Sequence, residues 1–542
     1  LHAFNLLSRV PAAKLDFVSI RVDIAYRIDH TINLNALLIY PEFSRHGFWN
    51  YKEVCRIQGA KYPAAPLGLI TLAALLPQDW SFRLSDLNTA ALQDSDIQWA
   101  DLVFIGGMLP QQVSFLKLID HVHRLGKRVV AGGPDPTSQP EIYRQADFLV
   151  LGEAECTLPR FLTDFQAGAK RGVYLPRQER PDIRSSPVPR FDLLRQRDYL
   201  MIGIQFSRGC PFNCEFCDVI ELFGRIPRTK APEQIVAELE ALYELGYRGH
   251  VDFVDDNFIG NIKSVKRILT AVQGWSERRR YPFYFSTEAS INLADDPELL
   301  GMMRDLDFRY VFIGIESSDE EILRSVHKMQ NTRRRLTENL TRIYRHGMIV
   351  NGGFIIGFDG ETRAAARSIA EFIRRGSVCM AMVGLLHALP NTQLTRRLKL
   401  EKRFLRDSNE LINSDGHGVD QTTAGLNFTT LRPRRDILKD YLYVVGKTYG
   451  LANYFNRCLA LGRLLKPNYR HKPSLARRLR DLRGLIILVI RFGVLPPGCY
   501  YFWRNILLLA VSNPLAVEAV INLMAMYLHF RKQTRYARRI LS

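Results

Sequence analysis

The chain has 542 residues and a mass of 62.2 kDa, several times the size of one ordinary domain. Hydrophobic residues make up 47% and charged residues 24%, a globular balance that excludes disordered, collagen-like and coiled-coil chains. Lys and Arg exceed Asp and Glu by 19, which favours anionic partners, and fifteen basic against two acidic residues from Arg463 to Ser542 place +13 of that excess in the tail.

The first stretch, LHAFNLLSRVPAAKLDFVSIRVD, lacks the apolar core and small-residue cleavage site of a secretory signal, and residues 1–33 read as an N-terminal extension. From 34 to 170, short apolar runs (ALLIYP, SFRLSDLN, DLVFIGGM, RVVAGGP, FLVLGEAE) alternate with helical ones (PLGLITLAALLP, VSFLKLIDHVHRLG, TLPRFLTDFQAG). This alternation predicts an α/β, doubly wound, Rossmann-like domain with a parallel sheet covered on both faces. Ligands of such sheets lie beyond the carboxyl ends of the strands. Those ends carry Gly106, Gly107, Gly132, Gly133, Gly152 and Glu153, which fit either a ligand close to the backbone or plain tight turns.

Residues 171–198 hold four prolines with scattered charges and read as a linker. From 199 to 400 the alternation resumes with six strands: LMIGIQFS, HVDFVD, PFYFST, YVFIGIE, NGGFIIGF and AMVGLLHAL. Six βα units predict a partial TIM barrel. Residues 401–542 turn helical and basic, and their longest uncharged run, Asn505 to Val517, is 13 residues, short of the roughly 20 a spanning helix needs.

Reactive groups of a βα barrel sit on the loops after its strands. Here those positions carry RGCPFNCEFC, then Asp255, Asp256 and Asn257, then Thr287 and Glu288, then Glu316 and Ser317, then Gly357, Asp359 and Gly360, and lastly His387. Three of the eight cysteines, Cys210, Cys214 and Cys217, fall within eight positions, a spacing of metal ligands in a reducing, cytoplasmic compartment. Three thiolates on one short loop can wrap one side of an iron-sulfur cube and leave one iron open. The residues alone also fit a zinc site completed by a distant Cys or His, or three buried thiols.

CxxxCxFC after the first strand of a six-unit βα region resembles the radical S-adenosylmethionine (SAM) enzymes. The resemblance implies that Cys210, Cys214 and Cys217 hold a [4Fe-4S] cluster whose open iron binds SAM, with Phe216 against the adenine. Asp255, Asp256 and Asn257 stand where that family contacts the methionine amino group. Glu316 resembles a ribose contact, and Gly353, Ile355 and Gly357 match the fifth-strand motif, with Gly360 where Glu is expected. Glu288 lies at the third strand tip, in reach of the same ligand.

A doubly wound domain before such a barrel, together with PLGLITLAALLP, RTKAPEQIVAELEALYELGYRGHVDFVDDNFIGN and STEASINLADD, is similar to the cobalamin-binding class of radical SAM enzymes, with a likeness to the hopanoid methylase subgroup. The resemblance implies cobalamin as a third cofactor. The DxHxxG motif that brings a histidine to cobalt is missing; His46 is the nearest candidate, and a structural role suits it better.

The expected reaction is C-methylation of an unactivated carbon, on a small-molecule or lipid substrate, with electrons from a flavodoxin- or ferredoxin-type donor. A non-methylating cyclisation or rearrangement is the alternative within the class. A nucleic-acid-binding protein with a structural metal is the alternative outside it, and no aromatic strand motif or basic ladder supports that reading. The basic, apolar tail reads first as a helical cap on the barrel, with peripheral contact at the inner membrane surface as the alternative.

Overall fold

The computed structural model describes residues 33–44, 46–48, 50–176, 180–405, 422–494 and 497–542. All but the last residue of the expected N-terminal extension, and residues 406–421 of the expected C-terminal domain, lie outside them.

Among the described residues fifteen strands follow in chain order: β1 (Asn35–Tyr40), β2 (Tyr62–Ala64), β3 (Ser81–Asp86), β4 (Leu102–Gly106), β5 (Arg128–Gly132), β6 (Phe148–Val150), β7 (Gly172–Tyr174), β8 (Tyr199–Ile204), β9 (Ser207–Arg208), β10 (Arg228–Thr229), β11 (Gly249–Phe253), β12 (Phe283–Glu288), β13 (Phe308–Glu316), β14 (Ile349–Ile356) and β15 (Met380–Leu385). The first sheet is parallel, in the order β3-β1-β4-β5-β6-β7. Its central strands are apolar on both faces, and separate buried clusters built around Leu37, Val103 and Val129 and around Ala36, Phe104 and Phe161 cover its two sides. The doubly wound reading therefore holds.

The second sheet is also parallel, in the order β15-β14-β13-β12-β11-β8-β2. It curls into an open half-barrel of seven strands, one more than the βα count gives. The additional strand, β2, comes from within the span read as the Rossmann-like domain and pairs with the outer edge of β8. Three residues, Tyr62, Pro63 and Ala64, carry no periodicity to announce it. Likewise β7, inside the span read as a linker, pairs with β6.

Helices Arg434–Thr448, Leu451–Leu464, Cys499–Ser512 and Val517–Leu541 form the C-terminal region. The last of these buries Leu523, Met526 and Phe530, and the barrel and this region share one continuous apolar cluster. Tyr454 Oη donates to Leu523 O at 2.6 Å and joins two of these helices, while Arg457 Nε donates to Val378 O at 3.0 Å and Tyr449 Oη to Ala381 O, which bolts the tail onto the barrel. Among the described residues no single helix is long and apolar enough to cross a membrane.

At the end of β5, Gly133 has φ +99°, and a Cβ there would stand 2.9 Å from Gly107 O and 3.0 Å from Gly107 N. Both contacts are to backbone, which cannot swing aside. Gly133→Ala is expected to destabilise the first domain by about 2 kcal/mol, read as a lower urea midpoint with an unchanged denaturant slope.

Candidate active site

The loop leaving β8 carries the three cysteines across the barrel rim. Its start is fixed from below: Asp255, at the tip of β11, accepts Phe206 N at 3.2 Å and Ser207 N, while Asp256 accepts Gly209 N at 2.9 Å. Gly209 is at φ +96°, and a Cβ there would lie 2.8 Å from Gly224 O, so the sharp turn into Cys210 needs glycine. Farther along, Glu215 N donates to Val326 O at 3.0 Å and Leu394 N to Glu215 O at 2.9 Å, which pins the loop to the far side of the rim.

Cys214 is buried, and Cys210 and Cys217 are half-buried. Asn257 Nδ2 donates to Cys210 Sγ at 3.8 Å, and Gln330 Nε2 to Cys214 Sγ at 3.5 Å. Lys328 stands behind them. Burial works against its charge, but Glu316, Cys214 and Cys217 hold it protonated. Soft sulfur donors, N–H groups directed at sulfur and a buried cation suit a thiolate-bound cluster of net negative charge. Among the described residues no group of three or more His, Cys, Asp or Glu is placed to hold a single metal ion.

Glu316 adopts φ +64° at the tip of β13, a left-handed conformation rare for a non-glycine residue. Lys328 Nζ bonds its carboxylate at 2.9 Å, and Asn331 Nδ2 bonds the carbonyls of Gly314 and Ile315 at 3.0 and 2.9 Å. A Cβ at Gly314 would stand 2.3 Å from Glu316 Oε1, so the carboxylate folds back over this glycine. Lys328 and Asn331 thus hold this strained strand tip in place.

On β14, Gly353 packs under Phe312, Ile355 is half-buried, and Gly357 N donates to Glu361 Oε2 at 2.8 Å. The carboxylate expected at position 360 thus stands one residue later. Burial pushes Glu361 up to about 7. Phe216 lies 5.6 Å from the Phe358 ring, and both line a cavity of about 210 Å³ with Val326 and Leu386. His387 is packed beside Ala424 and Asn427, and burial lowers it to about 4, so it is a neutral core group.

Burial raises the strand-tip carboxyls Asp255 to about 7 and Asp256 to about 6. Glu288 rises to about 8 through burial and then the nearby Asp252, Asp256 and Asp255. Glu288 lines a lumen cavity of about 140 Å³ with Asp252, Tyr310, Phe312, Asn351 and Met526. There His250 Nε2 meets Ser286 Oγ at 2.7 Å, Ser286 Oγ donates to Asp252, and Asn351 Oδ1 is buried without a partner. Residue-type reasoning at the strand tips placed Glu288 but missed the other lumen groups. Their signal was polar residues at alternating positions inside strands: His250 and Asp252 on β11, and Tyr284 and Ser286 leading to Glu288 on β12.

The first domain meets this rim through charge. Glu153 accepts from Arg208 Nη1 at 2.8 Å and from Arg228 at 2.9 and 2.8 Å, and Glu155 accepts from Arg208 at 3.0 and 2.9 Å. Glu153 is therefore an interdomain anchor. Helix Pro134–Ser138, after β5, packs on Val219–Leu222 of the cysteine loop, and Asn391 Nδ2 donates to Ser138 O at 2.9 Å. The carboxyl ends of the two sheets consequently face one another. Gly106, Gly107, Gly132 and Gly152 admit close neighbours of the protein itself: Leu69, Phe115, Val150 O and Pro176. His46 stacks on Tyr536 at 3.9 Å and its carbonyl accepts from Gln533 at 3.1 Å, a structural setting.

Burial opposes ionisation of Glu155, but the Arg208 charge and hydrogen bonds outweigh it and hold the carboxyl down to about 2. A depressed folded value contributes stability above the ordinary carboxyl range that is lost as pH falls through about 2. Glu155→Gln is expected to cost about 2–3 kcal/mol at pH 7, with the difference from wild type shrinking below about pH 4.5 in urea titrations. Glu288 has the opposite sign: the folded state keeps a proton that the unfolded chain releases, so stability falls as pH rises from the ordinary range to about 8. Glu288→Gln is expected to raise the melting temperature by about 3 °C or more at pH 8.5 and to leave it unchanged at pH 4.5.

Residues 204–373 match the Radical SAM superfamily, and residues 392–541 match a domain of unknown function (DUF4070). Over 503 residues, 92% of this chain and 91% of the relative, the sequence is 42% identical to an uncharacterized methyltransferase, sll1242, of Synechocystis sp.. It is 38% identical over 353 residues to the hopanoid C-2 methylase of Rhodopseudomonas palustris, covering 65% of this chain and 67% of that one. The solved structure of the radical SAM methyltransferase TsrM from Kitasatospora setae, with cobalamin and [4Fe-4S] cluster bound, shares the fold at TM-score 0.60 and 15% identity, across 94% of this chain and 99% of that one. The three cysteines at the rim, the half-barrel that carries them and the full-length match agree, and the chain belongs to the radical SAM enzymes, in the methyltransferase family that joins a cobalamin-binding-type Rossmann-like domain to the barrel.

Proposed function

We propose that this protein methylates a carbon of a hydrophobic, lipid-like substrate, using a [4Fe-4S] cluster, SAM and cobalamin. The observation that carries the reading is the convergence, on one barrel rim, of a three-thiol loop, a strained Glu316 and the strand ends of a cobalamin-binding-type domain. The 38% identity to a hopanoid C-2 methylase supports methyl transfer and a hydrophobic substrate.

Cys210, Cys214 and Cys217 would hold the cluster, Phe216 and the Gly353–Gly357 backbone would bracket the adenine, and Glu316 would receive the ribose. Asn257 orients Cys210 while its Oδ1 accepts from Ser290 N at 3.2 Å; Asp255 and Asp256 brace the loop and leave little of their carboxylates for the methionine amino group. Cobalamin would lie between the two sets of strand ends, over the turns at Gly106–Gly107, Gly132–Gly133 and Gly152, where no histidine stands among the described residues. When bound, these groups supply a carbon radical generator and a methyl donor.

The chain's own task is placement. The lumen cavity would seat the substrate against Glu288, whose carboxyl stays protonated near neutral pH and so donates a hydrogen bond rather than presenting a charge to an apolar guest. Val54, Leu523 and Met526 give the cavity an apolar wall on the side of the C-terminal region. A reductant of the flavodoxin or ferredoxin type would supply electrons.

Anaerobically reconstituted protein, given a reductant, cobalamin and SAM, is expected to absorb broadly near 400 nm and to form 5′-deoxyadenosine, with S-adenosylhomocysteine as the mark of methyl transfer. Cys214→Ala is expected to lower both products at least about a hundredfold. Nucleoside formation by the wild type without any S-adenosylhomocysteine would point to a non-methylating radical reaction instead.

A further inference from the structure

Among the described residues, twenty-four large apolar side chains are exposed, and twelve of them fall between Leu475 and Leu515. They are not scattered. Helix Leu475–Leu488 and the π-helical turn Val489–Val494 present Leu475, Leu479, Leu482, Ile486, Ile490 and Val494 at intervals of three or four, which is one face. Helix Cys499–Ser512 presents Tyr500, Trp503, Leu507, Leu508 and Val511 in the same way, with Val511 90% exposed. The two arms meet at 119° and together are apolar enough for a membrane, although neither alone is both long and apolar enough to cross one. Monomeric proteins rarely leave so continuous an apolar surface to water.

The charges around this face select its partner. Arg478, Arg480, Arg483 and Arg491 are exposed along the first arm, against a single acid, Asp481, which Arg477 already pairs at 3.0 Å. Arginines beside an apolar stripe, with Trp503 and Tyr500 at its border, match an anionic bilayer surface.

A second observation ties the face to the active site. The inner side of the first arm lines a cavity of about 510 Å³ with Leu482, Leu485 and Leu488, beneath the amino-terminal ends of the barrel strands, and Arg248, Arg309, Arg477, Arg480 and Glu518 line it as well. That cavity and the lumen cavity share Val54, Gln58, Tyr284, Tyr310 and Asn522, so a single layer of side chains separates them. Leu482 belongs at once to the outer apolar face and to the cavity wall.

We propose that this helical hairpin seats in one leaflet of an anionic membrane without crossing it, and that the cavity beside Leu482 is the passage by which a lipid-like substrate leaves the bilayer and reaches the lumen from the amino-terminal side of the barrel. The second half rests on the reading of a hydrophobic substrate given above; the first stands without it.

Flotation of the full-length protein with phosphatidylglycerol vesicles, against phosphatidylcholine vesicles, tests the docking. Binding is expected to prefer the anionic vesicles, to fall at least about tenfold in Leu507→Glu/Val511→Glu, and to weaken about fivefold per charge in Arg483→Gln and Arg491→Gln. Circular dichroism and 5′-deoxyadenosine formation should be unchanged in these variants, and Cys214→Ala should still bind vesicles, which separates failure of docking from failure of the radical chemistry. Wild-type protein that stays off anionic vesicles, or a face consumed by a dimer in light scattering, would overturn the docking. For the passage, vesicles carrying a diazirine fatty acid are expected to photolabel peptides of β12 and β13 as well as the hairpin. Label confined to the hairpin would sink the passage and leave the docking standing.

Discussion

The arrangement depends on an ion-pair clamp between two domains. Arg208 lies two residues before Cys210 in the loop that leaves β8, and it is held by Glu153 and Glu155 of the first domain. Arg228, on the facing strand of the same small ribbon, also bonds Glu153. These side chains are nearly buried, where a charge without its partner is costly, so the pairs act as a geometric lock more than as a source of net stability. The lock sets the carboxyl ends of the Rossmann-like sheet over the cysteine loop.

Once the two rims face each other, a division of labour follows from position along the barrel axis. The upper rim gathers thiols, N–H donors to sulfur, Lys328 and the strained Glu316, a setting suited to anionic and polar cofactors. The lumen below grows apolar, with a few polar groups on alternate strand positions. The base, where most barrels are sealed, is walled by the C-terminal helices, and their hairpin carries half of the large apolar side chains exposed among the described residues. Between lumen and hairpin the cavity wall is mixed, with leucines of the first arm beside arginines.

Much of the rim was legible in the sequence. The cysteine triplet, Glu288 and Glu316 fall at strand tips because the period of a buried parallel strand is short and its ends are marked by polar residues and turns. Other features were hidden for identifiable reasons. Strand β2 is three residues long and joins a sheet whose remaining strands begin more than a hundred residues later. Glu361 replaces the expected position 360 because a carboxylate reaches Gly357 N equally well from the next residue of a tight turn. Glu153, which in sequence fits either a ligand contact or a tight turn, is claimed by arginines 55 and 75 residues away.

The sequence by itself determined the order and type of the elements, the cluster loop and the superfamily, since each rests on local spacing: alternation along strands, helical periods, and three cysteines within one turn-rich loop. The tertiary structure alone decided which carboxylates remain available, that the two domains meet rim to rim, and that a basic helical tail both closes the barrel and leaves one apolar face uncovered. Those outcomes depend on pairings between residues distant in the chain. Spacing along a sequence encodes the local preference of each residue, whereas burial and charge compensation exist only once the partners have been brought together.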